Sequence, residues 1–398
     1  MIDISGKSWI KYLLFGTLYF SEGIDLAVVT VIVPIYFTEL GISLPIITFI
    51  VGISSLPWII KFFWGGIVDH FIRFGRKRFI IFGGILGAIG FFLLAFVDPL
   101  VALIPFTFLM FMGHVGVAFL DVSSDAWAIE ITRENERGKI NGAMFAGQFA
   151  GMAVGSTLLA IIANMFSYKI AFIMSGFIIL LIIIYPLFIK YTAVTKKHQK
   201  VVSLLFGEFK KKTTLLVSLY APISYINAGF LILAIPLYLK IKFNLDIAQI
   251  GLITGIFPVM VAVGSVIGGG ISDKIGRKNS LFIFIGASIL FSALLIIGSS
   301  WEILAFIYAV VGFLQGGYTS GTTAMCMDIT NPKIGATQFS LLMSFFNMGE
   351  LGGAMVAGSL IVMIGFERLF LYSAWIFGPA LLILYCIKLK PFNNNHRG

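Results

Sequence analysis

The chain has 398 residues, 59% of them hydrophobic and 12% charged, with a mean hydropathy of +1.01 and a net charge of +10. That balance excludes a soluble domain of ordinary composition, and long apolar runs exclude a β-barrel, whose strands alternate apolar and polar residues in short segments. The basic residues sit in short connections rather than on one face of a domain, so the charge marks membrane topology and no nucleic-acid partner is expected. Cys326 and Cys386 are too few and too apolar in setting for a disulfide framework or a metal site.

Twelve apolar runs of about 20 residues or more are predicted to span a bilayer: near 10–38, 44–68, 79–97, 100–129, 139–163, 168–190, 213–239, 246–271, 279–298, 301–328, 336–363 and 367–389. The first is too long for a signal-peptide core and no small-residue cleavage site follows it, so it is expected to remain as span one. With the N-terminus in the cytoplasm, 23 of the 28 Lys and Arg fall in cytoplasmic segments, four outside (Lys169, Lys240, Lys242, Arg368), and Lys61 within span two. The positive-inside rule therefore predicts both termini in the cytoplasm of a multi-pass cell-membrane protein. The longest connection carries KKHQK and FKKK, and divides an N-terminal bundle (1–190), a basic cytoplasmic linker (191–212) and a C-terminal bundle (213–398).

The two bundles repeat each other. GGIVDHFIRFGRKR (65–78) ends span two and GGGISDKIGRKNS (268–280) ends span eight, matching Asp69 to Asp273 and Arg76–Lys77 to Arg277–Lys278. The same offset of about 200 residues pairs VPIYF (33–37) with IPLYL (235–239). A Gly-rich turn with Asp and then Gly-Arg-Lys, between the second and third helices of each half, resembles the signature loop of the major facilitator superfamily; the first copy has three extra residues between Asp69 and Gly75. The resemblance implies an all-α major facilitator fold, twelve transmembrane helices in two pseudo-symmetric six-helix bundles. The Asp and Arg groups are expected to pair across the halves as a cytoplasmic latch.

Three further segments are similar to the branch that holds muropeptide permeases and acetyl-coenzyme A transporters. These are LPWIIKFFWGGIVD (56–69), Asp121-Val-Ser-Ser-Asp125-Ala-Trp127 with Glu136-Arg137-Gly138, and GATQFSLLMS (335–344). Span four lacks the Arg common in proton-coupled drug and sugar facilitators, and span five has GQFAGMAVG (147–155) in place of a Gly-Pro motif, which lowers drug export.

Ionisable groups at membrane depth are costly and face a cavity or a partner. They are Glu22, Asp25, Lys61, His114, Asp121, Asp125 and Glu350. At helical spacing His114, Asp121 and Asp125 fall within about 20° of one stripe. Lys61 should lie level with Asp121 and can pair with it or with Asp125; Asp125 is assigned to the latch as a partner of Arg76 or Lys77. Glu22 and Asp25 fall near the midplane, and the repeat matches them to Ser224 and Asn227, which keeps polarity and drops charge. A desolvated carboxylate without a fixed cation can take a proton, so Glu22, Asp25 and Asp121 are the proton-coupling candidates. Lys61, His114, Ser224, Asn227, Gln315, Tyr318, Asn347 and Glu350 are the cavity candidates. The latch comprises Asp69, Arg76, Lys77, Asp125, Asp273, Arg277 and Lys278. Trp9, Trp58, Trp64, Trp301 and Trp375 are expected at the membrane interfaces.

These residues point to a secondary transporter with a site between spans one, four, seven and ten, worked by rocking the halves. Proton symport into the cell is the mechanism expected from the midplane carboxylates, and the resemblance implies an amphiphilic or anionic solute such as a sugar-linked peptide or an acyl-coenzyme A conjugate. Partners are a small solute, protons and membrane lipid; no cofactor is expected, and a monomer is the family's usual state. Uniport or exchange is the nearest alternative, and a receptor or lipid-handling protein on the same scaffold is another. An intramembrane aspartyl hydrolase is disfavoured because Asp121 and Asp125 lie on consecutive turns of one helix, about 6 Å apart along its axis, rather than converging from separate elements. No Gly-x-x-x-x-Gly-Lys-Ser loop suggests ATP-driven pumping.

Overall fold

The computed structural model describes residues 8–131, 137–190, 201–331 and 334–388. Among the described residues the elements are all helical, and 11 helices are long and apolar enough to cross a bilayer. The twelfth expected crossing, over 44–68, is not one helix. It is broken into Leu44–Ser54, Leu56–Ile59 and Lys61–His70. Pro57 lacks the N–H that a continuous helix would use, and the backbone turns at Ser55 (φ −88°, ψ 0°) and Ile60 (φ −95°, ψ 20°). The carbonyls of Pro57 and Trp58 accept instead from Trp64 Nε1 at 3.0 Å and Asn347 Nδ2 at 3.2 Å. Broken backbone at membrane depth is tolerated only inside protein or beside a cavity, and these two donors supply that cover.

Span one, Trp9–Glu39, bends less sharply: Pro34 is preceded by a widened π-turn at Val28–Ile32. A second widened turn, Gly155–Leu159, lies in span five. Spans one and five pack with almost no side chain between them, since a Cβ on Gly23 would collide with the backbone of Gln148 and Met152. Gly229 of span seven meets the Glu350 carbonyl of span eleven in the same way.

The apolar core shows how the halves meet. One cluster joins them, combining Val28–Phe37 and Ile47–Val51 of the N-terminal half with Phe230–Leu239 and Ala354–Ile361 of the C-terminal half. At the other end, where the Gly-Arg-Lys loops lie, the core divides in two. Ile10–Tyr19, Ile80, Leu120 and Trp127 form one cluster, and Val217–Tyr225, Leu281, Tyr318 and Phe377 form another. The halves are therefore sealed together at the end remote from the loops and separately packed at the loop end. Across the sealed end, Lys240 reaches Glu39 at 2.5 Å, and Tyr168 donates to the same carboxylate at 2.8 Å.

The expected linker contains a helix, Val201–Phe209; residues 191–200 lie outside the described set. Glu208 ties that helix to the C-terminal half, accepting from Asn331 Nδ2 at 2.7 Å and from Lys211 at 2.5 Å. Those hydrogen bonds hold its carboxyl below its ordinary value.

Candidate functional site

Spans one, two and four bring six ionisable groups into one buried region of the N-terminal half. Glu22, Asp25, His114 and Asp121 are each at most 1% exposed. Glu22 Oε2 accepts from Gln148 Nε2 at 3.1 Å, while its Oε1 has no hydrogen-bond partner among the described residues. Asp25 Oδ2 is 2.9 Å from His114 Nδ1, and Asp25 Oδ1 is likewise unpartnered. The same His114 nitrogen lies 3.0 Å from the indole N–H of Trp58, and its Nε2 is 3.4 Å from Ser55 Oγ. Two turns along span four, Lys61 Nζ donates to Asp121 Oδ2 at 3.3 Å, one of the two pairings that the sequence left open.

Asp125 differs from its expected role. It meets neither Arg76 nor Lys77; its Oδ1 accepts from the hydroxyl of Tyr19 on span one. The reason is the direction of span four. Asp125 lies on the stripe that faces span one, whereas Glu130, at the end of the helix, is the carboxylate that reaches Arg76 Nε at 3.1 Å.

Among the described residues, the contacts of the basic loop side chains run to partners in their own halves, against the expectation of pairing across the halves. Arg277 bonds Asp273 and, at 3.2 Å, Asp328 at the end of span ten, which occupies the place of Glu130. Lys77 Nζ donates to the carbonyls of Leu187 and Ile189, both at 2.9 Å, at the end of span six. Lys278 does the same at the end of span twelve, reaching Tyr385 and Ile387 at 2.6 and 3.1 Å. Cations at helix C-termini meet carbonyls that the helix cannot satisfy itself. Both loops place Gly at positive φ, Gly75 at 81° and Gly276 at 88°, immediately before the Arg, where a side chain would be strained. The side chain of Asp69 lies outside the described set.

The cavity candidates of the C-terminal half separate into two groups. Ser224, Asn227 and Tyr318 do not line an inter-half space. Asn227 Nδ2 is bound to Ser292 Oγ at 3.2 Å and to the Ser373 carbonyl at 2.9 Å, on spans nine and twelve, and Ser224 Oγ donates to its own helix at the Ala221 carbonyl. Tyr318 is packed edge-on against Tyr225 and Phe377. Their helix faces point into the C-terminal bundle, where packing keeps a small or neutral polar group. Asn347 of span eleven reaches the other half, bonding the Trp58 carbonyl, whereas Glu350 is half-buried with no hydrogen bond or ion pair among the described residues. Gln315 is half-buried, and its buried Oε1 has no hydrogen-bond partner among the described residues.

Sequence reasoning missed Tyr19, Gln148 and Trp58 as partners of the acids. Trp58 is not at an interface: it is 8% exposed and bound to His114, whereas Trp9 and Trp375 are 65% and 68% exposed. The signal was Pro57 beside it, since a break in a membrane helix demands polar cover from neighbouring spans.

The family model of the Major Facilitator Superfamily matches residues 15–226 and 217–397. The chain is 23% identical over 395 residues to the putative transporter AmpG 4 of Rickettsia conorii, covering 93% of this chain and 94% of that protein. It is 26% identical over 386 residues to the anhydromuropeptide permease of Escherichia coli K12, covering 92% and 77%. At 24% identity over 387 residues it also matches the multi-drug resistance efflux pump PmrA of Streptococcus pneumoniae, covering 93% of each. Among solved structures, a bacterial homologue of the human lysosomal transporter Spinster, inward-facing and unoccupied, superposes with a TM-score of 0.77 at 13% identity over 96% of both chains. With the duplicated loops, the eleven membrane-length helices among the described residues and a family model that spans both halves, the chain belongs to the Major Facilitator Superfamily and is a multi-pass membrane transporter, not an enzyme.

Proposed function

We propose that the protein is a proton-coupled symporter that carries an amphiphilic, sugar-linked peptide of the muropeptide kind into the cell by alternating access. The observation that carries the coupling is the imbalance of the buried cluster. Among the described residues, the basic groups that Glu22, Asp25, Asp121 and Asp125 face are Lys61 and His114 alone. Even with His114 protonated, two negative charges stay without a cation, and an unpaired charge in a low-dielectric site is strongly disfavoured. Protons on the carboxyls relieve that imbalance, so the cluster is suited to loading and releasing them as the halves move. Glu22 and Asp25, each with one oxygen unpartnered, are the groups that would exchange them.

The solute class is inferred from the muropeptide-permease relatives and from the polarity of the site. Lys61, 16% exposed at its side chain, suits an anionic group; Gln315 and Glu350 of the other half suit hydroxyls, amides or an amine. The bundles 1–190 and 213–398 would rock about the 191–212 linker, with both termini and the Gly-Arg-Lys loops in the cytoplasm of the cell membrane. On that orientation the separately packed loop end is the inward opening and the Glu39–Lys240 end is the closed outer gate. The loops then act within each half, keeping it rigid. The working unit is a monomer, since one chain contains both halves of the site.

The test is internal pH in dye-loaded proteoliposomes as anhydromuropeptides, coenzyme A esters, short peptides, sugars and drug-like cations are added outside. Acidification on adding an anhydromuropeptide, lost in Glu22→Gln or Asp25→Asn, is the expected result. Uptake of a labelled solute without acidification rejects symport in favour of uniport or exchange, and response only to cations rejects the solute class.

A further inference from the structure

His114 sits in a conflict that its hydrogen bonds cannot all resolve at once. An imidazole nitrogen has a single in-plane position, filled either by a proton or by a lone pair. At Nδ1 that position is contested by Asp25 Oδ2 at 2.9 Å and by Trp58 Nε1 at 3.0 Å. The indole N–H can only donate. If Nδ1 carries the proton, it donates to Asp25 and Trp58 loses its acceptor. If Nδ1 carries the lone pair, it accepts from Trp58, and Asp25 must hold a proton itself to remain beside it without a cation.

Trp58 is placed to transmit that choice. It belongs to the four-residue helix Leu56–Ile59, isolated by the breaks at Ser55 and Ile60. Its own carbonyl is held by Asn347 Nδ2 of span eleven at 3.2 Å, so one residue of the N-terminal half touches the proton site with its ring and the other half with its backbone. A short segment between two breaks can turn more easily than a continuous helix, because fewer backbone bonds resist it.

We infer that Trp58 is a positioning residue that couples proton occupancy of the Asp25–His114 pair to the contact between the halves: with Nδ1 unprotonated the indole is bound and the span-two segment holds Asn347, and with Nδ1 protonated the indole is released and that contact loosens. The inference rests on the proton-coupled reading above and adds to it the route by which the proton acts. The groups that face His114 are Asp25 from span one, Ser55 and Trp58 from span two, and the Phe91 ring from span three at 6.4 Å between centroids. Glu22 lies one turn from Asp25, and the Lys61–Asp121 pair lies two turns along span four.

The experiment places spin labels at exposed, equivalent loop-end positions, Arg78→Cys and Asn279→Cys, in a Cys386→Ser background, and reads their separation in nanodiscs between about pH 5 and 8. The unaltered site should give a separation that changes with pH. Trp58→Phe, which keeps a ring and removes the N–H, and Asn347→Ala should both lose that change, while solute-driven acidification in Trp58→Phe becomes weaker per solute taken up. A Trp58→Phe protein whose separation still follows pH as the parent does overturns the inference. So does a parent whose separation ignores pH; solute-evoked acidification persisting in that parent would leave the symport reading standing. Loss of both readouts in the parent removes the two together.

Discussion

The two halves share a scaffold and differ in what they enclose. At the loop end the correspondence is close: Gly75 and Gly276 turn the chain, Arg76 and Arg277 reach the carboxylates that end spans four and ten, and Lys77 and Lys278 bind the carbonyls that end spans six and twelve. Inside, the correspondence stops. Glu22 and Asp25 answer to Ser224 and Asn227, and the register that aligns Glu130 with Asp328 puts Thr319 and Thr323 where the first half has Asp121 and Asp125. Duplication has kept the residues that terminate helices and has let the interior specialise, so that six of the seven ionisable groups at membrane depth lie in the first half and Glu350 alone in the second, where neutral hydrogen bonding prevails.

The sharpest way to break that division is to place the first half's charge in the second. Asn227→Asp replaces a donor to the Ser373 carbonyl with a buried anion, and should destabilise the protein by about 3 kcal/mol or more in a thermal or denaturant assay. Asp25→Asn, the reciprocal change, should leave stability near the parent's and remove gradient-driven accumulation. Equal losses of stability for the two would erase the distinction. Next in size, Lys61→Met strands Asp121 and should cost about 3 kcal/mol, whereas Lys61→Met combined with Asp121→Leu should recover most of it without restoring transport. A double variant as unstable as the single one would mean that the lysine has a structural role beyond the pair.

Two smaller effects sharpen the likeness rather than the difference. Lys77→Met and Lys278→Met should each cost about 0.5–1 kcal/mol, and by similar amounts, because both remove a cation from a helix C-terminus. Unequal costs would show that one loop carries more than the other. The smallest concerns Glu208. Its folded carboxyl lies below the ordinary value of 4.5, so its stabilisation is present above that value and is lost as pH falls through the lower folded one. Cleavage of the chain near Val201–Phe209 by an acid-active protease should rise only in that acidic window and should become insensitive to pH in Glu208→Gln.

Much of this was legible in the sequence, for a physical reason in each case. Apolar length gave the spans, because the bilayer fixes how many residues a crossing needs. The repeated Gly-Arg-Lys gave the two halves. Charge within apolar runs located the cluster, since lipid penalises each such residue. What the sequence withheld was direction around the helix. Asn227 is polar at the position that matches Asp25, yet it faces spans nine and twelve, and polarity alone does not distinguish a cavity face from a packed one. Asp125 and Glu130 are both acids near the same end of span four, and only the packed structure assigns Arg76 to the second. Trp58 resembled an interfacial anchor because its neighbours are apolar; the break at Pro57 turns it inward.

The central claim, that the N-terminal half holds protons on its buried carboxyls, is open to one direct measurement. The infrared band of protonated carboxyl groups should be present in the purified protein at neutral pH and should diminish in Glu22→Gln and in Asp25→Asn. No such band in the parent, or a band unchanged in both variants, would contradict it.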